Sequence, residues 1–501
     1  APMFLASAPA LQWNLQGDLV QRSPWRRQPF EIVKPDPLLR PAQLHGAPPV
    51  DSRLGHGRHP TTRLAQRLRG SAAVGRCRRW NSHALLATAV GRADEVTKVQ
   101  EDRWADAGAA ALVAGTAIGG GFLALPYTVA PAGVVPSLVV MAGSWLFLLL
   151  QSVIVAELVV KVSLQYSGPT SYAYVARTAL GSLGNGAVSL LFVVLMAATL
   201  VSQIAKGGQL MGQLLSVPTP LACTALTGAL FALTVVQPRR VIVAGSAVLT
   251  GGFILALGSM FAICLPLADW SQLAYQNWSL CWRSVPSILQ LFVFCEVVPT
   301  ICQMLSFDIR RIRRAILAGS LVLLAVEAAW SILGISLSQV SQNSVLSVDP
   351  VARLLSLGGP IASAVFTLAA CAVTTTITGT FLALQDFFAD ESLSRGSSLA
   401  RFALSVVLPL LAAVSAQDAF YAAIDFAGAY PVALLWGCTP PVMALMLGLD
   451  RRLSGKRSLR RTAVLLVLAA MSTAFVASNA AADLGRMLGN AAASARWHRV
   501  V

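Results

Sequence analysis

The chain has 501 residues, of which 55% are hydrophobic and only 12% are charged. Soluble globular domains carry about 25% charged residues, so this composition excludes an ordinary soluble protein and predicts an integral membrane protein in contact with the lipid bilayer. The formal net charge is +16, but the basic residues lie in an N-terminal segment and in short loops between apolar stretches. That distribution is typical of membrane topology and not of a nucleic-acid-binding face, so we expect no nucleic-acid partner.

Residues 1–100 differ in composition from the rest of the chain. Arginine and proline recur there and acids are few, and no helical period is sustained. We interpret 1–100 as a disordered basic extension, because Arg-rich, acid-poor segments are typical of organelle transit peptides. An ordinary disordered cytosolic tail is the alternative, since serine is not abundant.

From residue 107 onward, eleven apolar segments alternate with short polar loops, each near the roughly 20 residues that a membrane helix needs. The segments cover 107–131, 137–160, 184–206, 219–237, 241–267, 286–306, 315–337, 360–388, 399–416, 419–448 and 462–483. They predict an all-α transmembrane transporter domain of eleven helices over 107–485, followed by a C-terminal tail at 486–501.

Basic residues are distributed unevenly between the two sets of loops. Sixteen Lys and Arg residues follow the even-numbered segments, among them Arg239, Arg310 and Arg451, against six on the other side. By the positive-inside rule, this bias predicts a multi-pass protein with its N-terminus inside. With an odd number of spans, the C-terminus is expected outside.

The first apolar segment contains a glycine-rich run at residues 115–121 (Gly-Thr-Ala-Ile-Gly-Gly-Gly). Each glycine destabilises a helix by about 1 kcal/mol relative to alanine, and each is free to adopt positive φ. Unwound backbone is tolerated in a membrane only where it lines a cavity, and there it presents N–H groups to a carboxylate and C=O groups to a cation. The predicted substrate-binding residues are Gly115, Thr116, Gly119, Gly120 and Gly121. Close approach of another helix is the alternative role for these glycines.

The sixth segment contains a second break around Glu296 and Pro299. Proline removes a helical hydrogen bond, and a carboxyl at membrane mid-depth is costly unless it is neutral or paired. Breaks in helices 1 and 6, five spans apart, match an inverted repeat of two five-helix halves with a site between them. We therefore predict that Phe294, Cys295 and Glu296 bind substrate and that Glu296 couples transport to an ion. A Glu296 side chain that merely reaches a water-filled vestibule is the alternative.

Several other polar residues are predicted to reach the central cavity. Gln203 in the third segment and Tyr430 in the tenth are assigned to the substrate. In the threonine-rich eighth segment, Thr375, Thr376 and Thr378 are predicted to help hold a coupling cation. Hydrogen bonding of these hydroxyls to their own helix is the alternative.

Neither a metal site nor a cofactor is predicted. None of the eight cysteines forms a close CxxC pair, so no zinc site or disulfide framework is indicated. No nucleophile or phosphate-binding motif is present, and we predict that the protein is not an enzyme.

Five stretches taken together resemble the tryptophan/tyrosine permeases of the amino acid–polyamine–organocation superfamily. They are residues 114–126 (AGTAIGGGFLALP), 294–299 (FCEVVP), 308–313 (DIRRIR), 381–387 (FLALQDF) and 425–431 (DFAGAYP). The resemblance implies a leucine-transporter-type fold and proton-coupled uptake of tyrosine or tryptophan. Relatives usually carry a histidine at the place of Cys295 and a small or amide residue at the place of Glu296, so this chain departs from the family pattern at the second break.

The resulting prediction is a symporter-type secondary active transporter for aromatic amino acids that works by alternating access and is coupled to protons rather than sodium. Transport of another neutral or hydroxy amino acid, or a transport-inactive receptor or scaffold, are the alternatives. Because plant and algal members of the family bear organelle-targeting extensions, the plastid inner envelope is the expected membrane, with the plasma membrane as the alternative.

Overall fold

A computed structural model describes residues 103–166, 171–337, 350–389, 398–416, 419–449 and 456–497. The basic extension predicted at 1–100 lies outside the described residues. The regular secondary structure of the described part is helical, apart from one isolated antiparallel bridge between Gly133 and Gln276.

Sixteen α-helices are named here in chain order. They are α1 Arg103–Ala117, α2 Leu125–Val129, α3 Val134–Tyr166, α4 Tyr172–Leu215, α5 Thr219–Val236, α6 Arg239–Cys264, α7 Val285–Leu291, α8 Val298–Met304, α9 Ile309–Leu337, α10 Pro350–Ser356, α11 Gly359–Ala389, α12 Ser398–Phe402, α13 Leu408–Ser415, α14 Ala419–Ala427, α15 Thr439–Met446 and α16 Lys456–Trp497.

Nine helical stretches in the described residues are long and apolar enough to cross a membrane, and the bent pair α1–α2 makes ten. The ninth predicted segment corresponds to the apolar helix Leu399–Ser415, which falls short of that length. The prediction of eleven spans therefore depends on this shorter helix. The last helix also continues to Trp497, into the stretch predicted as a C-terminal tail.

Two spans contain π-helical turns next to prolines. Residues Ala403–Val407 precede α13, which has Pro409 in its first turn. Residues Gly428–Cys438 join α14 to α15 and contain Pro431. Proline cannot donate a backbone hydrogen bond and clashes with the preceding turn, and a local widening of the helix accommodates this defect.

The third span is longer than the sequence predicts, 44 residues in α4 against the predicted 184–206. Its start is fixed by Ser171, whose hydroxyl accepts a hydrogen bond from the backbone N–H of Tyr174 at 3.2 Å. Gly181 has a φ of +73°, which kinks the first part of the helix. The first part of α4 contains polar residues, so its hydropathy is too low for it to be recognised as part of an apolar segment.

The C-terminal end of the first span contacts the segment that leads into the sixth. Gly133 has a φ of +84°, and a Cβ there would lie 2.1 Å from the carbonyl oxygen of Tyr275. Next to it, the N–H of Asn277 donates to the carbonyl of Ala132 at 2.8 Å. Only glycine fits this approach, and the junction holds the two interrupted spans together at one end.

Candidate functional site

The first span is interrupted where the glycine run predicts. Helix α1 ends at Ala117, a 3₁₀ turn runs over Gly120–Ala124, and the axes on either side differ by 47°. None of the four glycines has positive φ, and Gly119 is extended, with φ −125° and ψ −162°. The freedom of glycine to adopt positive φ is therefore not used at these positions. Their contacts show that they are needed for space.

Side chains from three neighbouring helices contact the consecutive glycines Gly119, Gly120 and Gly121. A Cβ on Gly119 would lie 2.8 Å from Thr376 Oγ1 of α11, and one on Gly120 would lie 1.7 Å from Gln203 Oε1 of α4. A Cβ on Gly121 would lie 2.5 Å from Leu291 Cδ2 of α7. The break is thus the point where α4, α7 and α11 converge on the first span.

The sixth span is interrupted at a comparable position. Helix α7 ends at Leu291, a 3₁₀ turn runs over Cys295–Val297, and α8 begins at Val298. Pro299 lies in the first turn of α8, where its missing N–H leaves no helical bond unmade. Proline therefore starts the second half of this span instead of kinking a continuous helix.

A cavity of about 420 Å³ lies at the two breaks, within the range of small-molecule sites. Nine predicted site residues line it: Gly115, Thr116, Gly119, Gly120, Gly121, Gln203, Glu296, Thr375 and Thr376. The half-buried Glu296 is the only acid among the lining residues. The structure therefore brings both breaks and α11 to one space.

The structure does not bring four predicted site residues to this cavity. Phe294 and Cys295 are fully buried, and the thiol of Cys295 lies 3.0 Å from Ser152 Oγ on α3. Tyr430 donates its hydroxyl hydrogen bond to Asp483 on α16. Thr378 lies on the side of α11 away from Thr376, since residues two apart on a helix point in nearly opposite directions.

The threonine hydroxyls of α11 donate to their own helix, as the alternative interpretation holds. Thr376 donates to the carbonyl of Ala372 at 2.8 Å, and Thr378 to that of Thr374 at 2.7 Å. Thr376 has a second contact, because its Oγ1 accepts the backbone N–H of Gly120 at 3.2 Å. It is therefore the threonine that links α11 to the break.

Polar lining residues that were not assigned to the site from the sequence are Thr199 and Ser202 on α4, Gln290 on α7 and Thr380 on α11. Gln290 Nε2 lies 3.4 Å from Thr199 Oγ1, and Gln203 Nε2 donates to Ser202 Oγ at 3.1 Å. The Oε1 atoms of Gln203 and Gln290 are buried and have no hydrogen-bond partner among the described residues. Thr199 and Gln203 are one turn apart in an otherwise apolar helix. This spacing could have predicted from the sequence that both residues face the cavity.

The rest of the lining has no polar side chain: Ala117, Ile118, Phe192, Leu195, Met196, Leu291, Val293, Val297, Gly379, Ala383 and Ile424. An apolar wall with a few convergent polar groups is the usual form of a small-molecule site. Within the described residues, no group of three or more His, Cys, Asp or Glu side chains is arranged to hold a metal ion.

Two charged residues of neighbouring spans, Lys206 of α4 and Asp425 of α14, are not among the residues that line the cavity. The buried Lys206 ammonium lies over the rings of Phe420 and Tyr421, at 5.1 and 5.9 Å from their centroids. Asp425 accepts a hydrogen bond from Ser287 of α7. Both contacts join α14 to its neighbours α4 and α7.

Comparison with known proteins agrees with this architecture. The tryptophan/tyrosine permease family matches residues 105–476. Similar proteins include the tryptophan-specific transport protein of Pseudomonas aeruginosa, 25% identical over 72% of this chain and 91% of that protein. The tyrosine-specific transport system 2 of Haemophilus influenzae is 25% identical over 66% of this chain and 87% of its own length.

Among solved structures, the manganese transporter of Eremococcus coleocola is similar with a TM-score of 0.54 and 14% identity, over 75% of this chain and 86% of that one. At this identity the likeness shows a shared transporter fold alone. The family match covers most of the chain and nearly all of its described helices. The chain belongs to the tryptophan/tyrosine permease family, a family of transporters and not of enzymes.

Proposed function

We propose that this protein is a secondary active transporter of tryptophan or tyrosine, coupled to protons and working by alternating access. The architecture proposed with it is eleven spans, of which ten form two five-helix inverted repeats. The observation that carries the proposal is the cavity in which the glycine break of the first span meets Glu296, two unpartnered amide oxygens and an apolar wall.

The carboxylate of the substrate is assigned to the break of the first span. Interrupted helices present unpaired backbone N–H groups and a favourable dipole to anions. In this chain the close approach of three side chains to Gly119, Gly120 and Gly121 keeps the backbone at the cavity surface. The main chain would therefore recognise the substrate carboxylate, at positions where a residue larger than glycine does not fit.

The ammonium group of the substrate is assigned to acceptors across the cavity. Glu296 supplies a carboxyl, and the Oε1 atoms of Gln203 and Gln290 are buried acceptors without a partner in the described residues. A buried unpaired acceptor costs about 1–3 kcal/mol. A bound ammonium removes that cost.

The aromatic ring is assigned to the apolar wall. Phe192 and Met196 offer a ring and a thioether, both of which make favourable contacts with aromatic groups. The similarity to a tryptophan-specific transport protein and to a tyrosine-specific transport system supports the same substrate class.

The coupling ion is proposed to be a proton carried by Glu296, with Thr375 and Thr376 as the alternative cation site at the cavity. When substrate binds, the carboxylate of Glu296 pairs with the substrate ammonium group. When substrate leaves, the carboxylate takes up a proton instead. The N-terminus is proposed to be inside, from the sixteen-to-six bias of basic residues in the loops. The plastid inner envelope is the proposed membrane, and the plasma membrane is the alternative.

The test is counter-flow uptake into proteoliposomes preloaded with unlabelled amino acid. We expect labelled tryptophan or tyrosine to accumulate, and labelled arginine and glutamate to stay outside. Serine or threonine uptake in place of aromatic uptake would identify a hydroxy-amino-acid carrier. No exchange of any amino acid by monodisperse protein would favour the receptor or scaffold interpretation and contradict transport.

A further inference from the structure

One carboxyl group that the proposed mechanism does not use lies in the middle of α9. Glu327 has no exposed surface, and neither of its carboxylate oxygens has a hydrogen-bond partner among the described residues. An ionised carboxylate in such a place costs several kcal/mol even in a membrane protein, whereas a protonated acid is far less costly. This environment therefore favours the neutral, protonated form of Glu327.

The position of Glu327 follows from the packing of α9 on the first span. Gly319 approaches the carbonyl of Ala110, and Gly334 approaches Pro126. Between them, Trp330 Nε1 donates to the carbonyl of Phe122 at 2.8 Å. In each of these pairs the residue numbers differ by 208 or 209, so the two helices run parallel and in register. Residue 327 then comes level with residue 119, at the break.

The side chains one turn further along α9 show which way Glu327 faces. Trp330 stacks on Phe122 of the first span, with ring centroids 5.1 Å apart. Ser331 contacts the sulfur of Met141 on α3 at 3.6 Å. Residues three and four apart share a helix face, so Glu327 lies in the groove between the first span and α3, on the far side of the break from the cavity.

Charged groups on the surrounding elements have partners of their own. Glu157 of α3 pairs with Arg313 and Arg461, and Asp106 of α1 pairs with Arg311. The other titratable groups with described side chains on α9, at its cap and on or beside the elements packed against it, including α6 through Phe261, are Arg103, Tyr127, Lys161, Arg239, Arg240, Cys264, Asp269, Tyr275, Cys302, Asp308, Arg310, Arg314 and Arg353. None of these groups bonds to either oxygen of Glu327.

We propose that Glu327 is a proton-binding site separate from Glu296, occupied in this conformation and covered by the first span, so that movement of that span controls exchange of its proton. The ligand is a proton because both carboxylate oxygens of Glu327 are fully buried, which leaves no space beside them for a larger cation. The link to transport rests on the proposed function, since alternating access is what moves the first span. The presence of the proton on Glu327 does not depend on the proposed function.

Infrared spectroscopy of the purified protein in liposomes at neutral pH tests the occupancy without any substrate. We expect a carboxylic-acid C=O band that is absent in Glu327→Gln and kept in Glu296→Gln. The matched control is Glu157→Gln, which removes an ion-paired carboxylate and should leave the band unchanged. If Glu327→Gln does not fold, Glu327→Asp keeps the acid and should shift the band. A band that persists unaltered in either folded variant overturns the proposal.

Transfer of the same samples into D₂O tests whether the first span limits the access of water to Glu327. The band should shift slowly in wild type, because deuterium reaches Glu327 only when the first span moves. Trp330→Phe keeps the ring stack but removes the bond to Phe122, and we expect it to accelerate the shift several-fold. An immediate shift in wild type, or an equal rate in Trp330→Phe, contradicts control by the first span.

Discussion

Thr376 Oγ1 accepts a hydrogen bond from the backbone N–H of Gly120 at 3.2 Å, which joins the break in the first span to helix α11. The same hydroxyl donates to the carbonyl of Ala372, so its hydrogen is directed into its own helix and its lone pair faces the break. This contact holds one backbone group of the proposed carboxylate site in place.

Thr376→Val should therefore weaken substrate binding with little change in shape. Loss of one hydrogen bond costs about 1 kcal/mol, which corresponds to a roughly five-fold weaker affinity. The measurement is equilibrium binding of labelled tryptophan to purified protein. The control is Thr367→Val on the exposed face of the same helix, where the hydroxyl also bonds its own backbone. Equal effects of the two variants would show that the Gly120 contact has no role in binding.

Glu296→Gln should separate exchange from accumulation. The amide mimics the protonated acid, so substrate can still cross the membrane, but the group no longer exchanges a proton when substrate binds. The measurement is uptake into vesicles with an imposed pH gradient or an imposed sodium gradient. Wild type should accumulate substrate with the pH gradient, and the variant should only equilibrate it. Accumulation by the variant in the pH gradient, or a response of wild type to sodium alone, would exclude Glu296 as the coupling residue.

Asp308 caps the start of α9 outside the membrane-spanning segments. The backbone N–H of Arg310, at 2.8 Å, and that of Arg311 hold the pKa of Asp308 below its ordinary value. A lowered pKa means that the charged form stabilises the fold, so this contribution is complete above the ordinary pKa and is lost as pH falls through the lowered one.

Asp308→Ala should lower the melting temperature at neutral pH, and the difference from wild type should shrink in acid. Asp308→Asn is the matched control, because asparagine caps a helix as well but does not titrate in this range. The measurement is thermal unfolding of the detergent-purified protein across the acidic range. A deficit of Asp308→Ala that stays constant with pH would contradict the charged cap.

Deletion of residues 1–95 should leave transport in proteoliposomes unchanged, because both breaks and the cavity lie downstream. A fusion of the same segment to a fluorescent protein should enter an organelle if it is a targeting sequence. Diffuse cytosolic fluorescence would favour the plain-tail interpretation. Loss of transport on deletion would contradict both.

Hydropathy and glycine chemistry predicted most of the helical segments and an interruption within residues 115–121, because both depend on the local cost of hydrocarbon burial and unwinding. Side-chain direction was harder to predict. Tyr430 lies in a π-helical turn, whose residues do not follow the 3.6-residue period, and it faces α16 instead of the cavity. Cys295 sits in a 3₁₀ turn that directs its thiol toward α3.

The space around the glycines and the role of α9 required the tertiary structure. Gly120 excludes a side chain because Gln203, 83 positions later, occupies the place of its Cβ, and no local pattern reports that approach. Glu327 lies in an unbroken helix, so a search for broken spans passes over it. Its significance comes from its register with the first span and from the absence of a partner among the described residues.

The central claim is that substrate binds at the glycine break of the first span, and Gly120→Val tests it most directly. A Cβ on Gly120 would lie 1.7 Å from Gln203 Oε1, and Gln203 is itself only 3% exposed and cannot easily move away. Overpacking of this kind costs about 1–3 kcal/mol. The control is Gly258→Val on an exposed face of α6, where no atom of a neighbouring residue lies within 4 Å of the place that a Cβ would take.

Equilibrium binding of labelled tryptophan and tyrosine to the three purified, monodisperse proteins is the measurement. The account predicts that wild type and Gly258→Val bind with equal affinity and that Gly120→Val binds at least roughly ten-fold more weakly. Wild-type affinity in Gly120→Val would contradict a substrate site at this break.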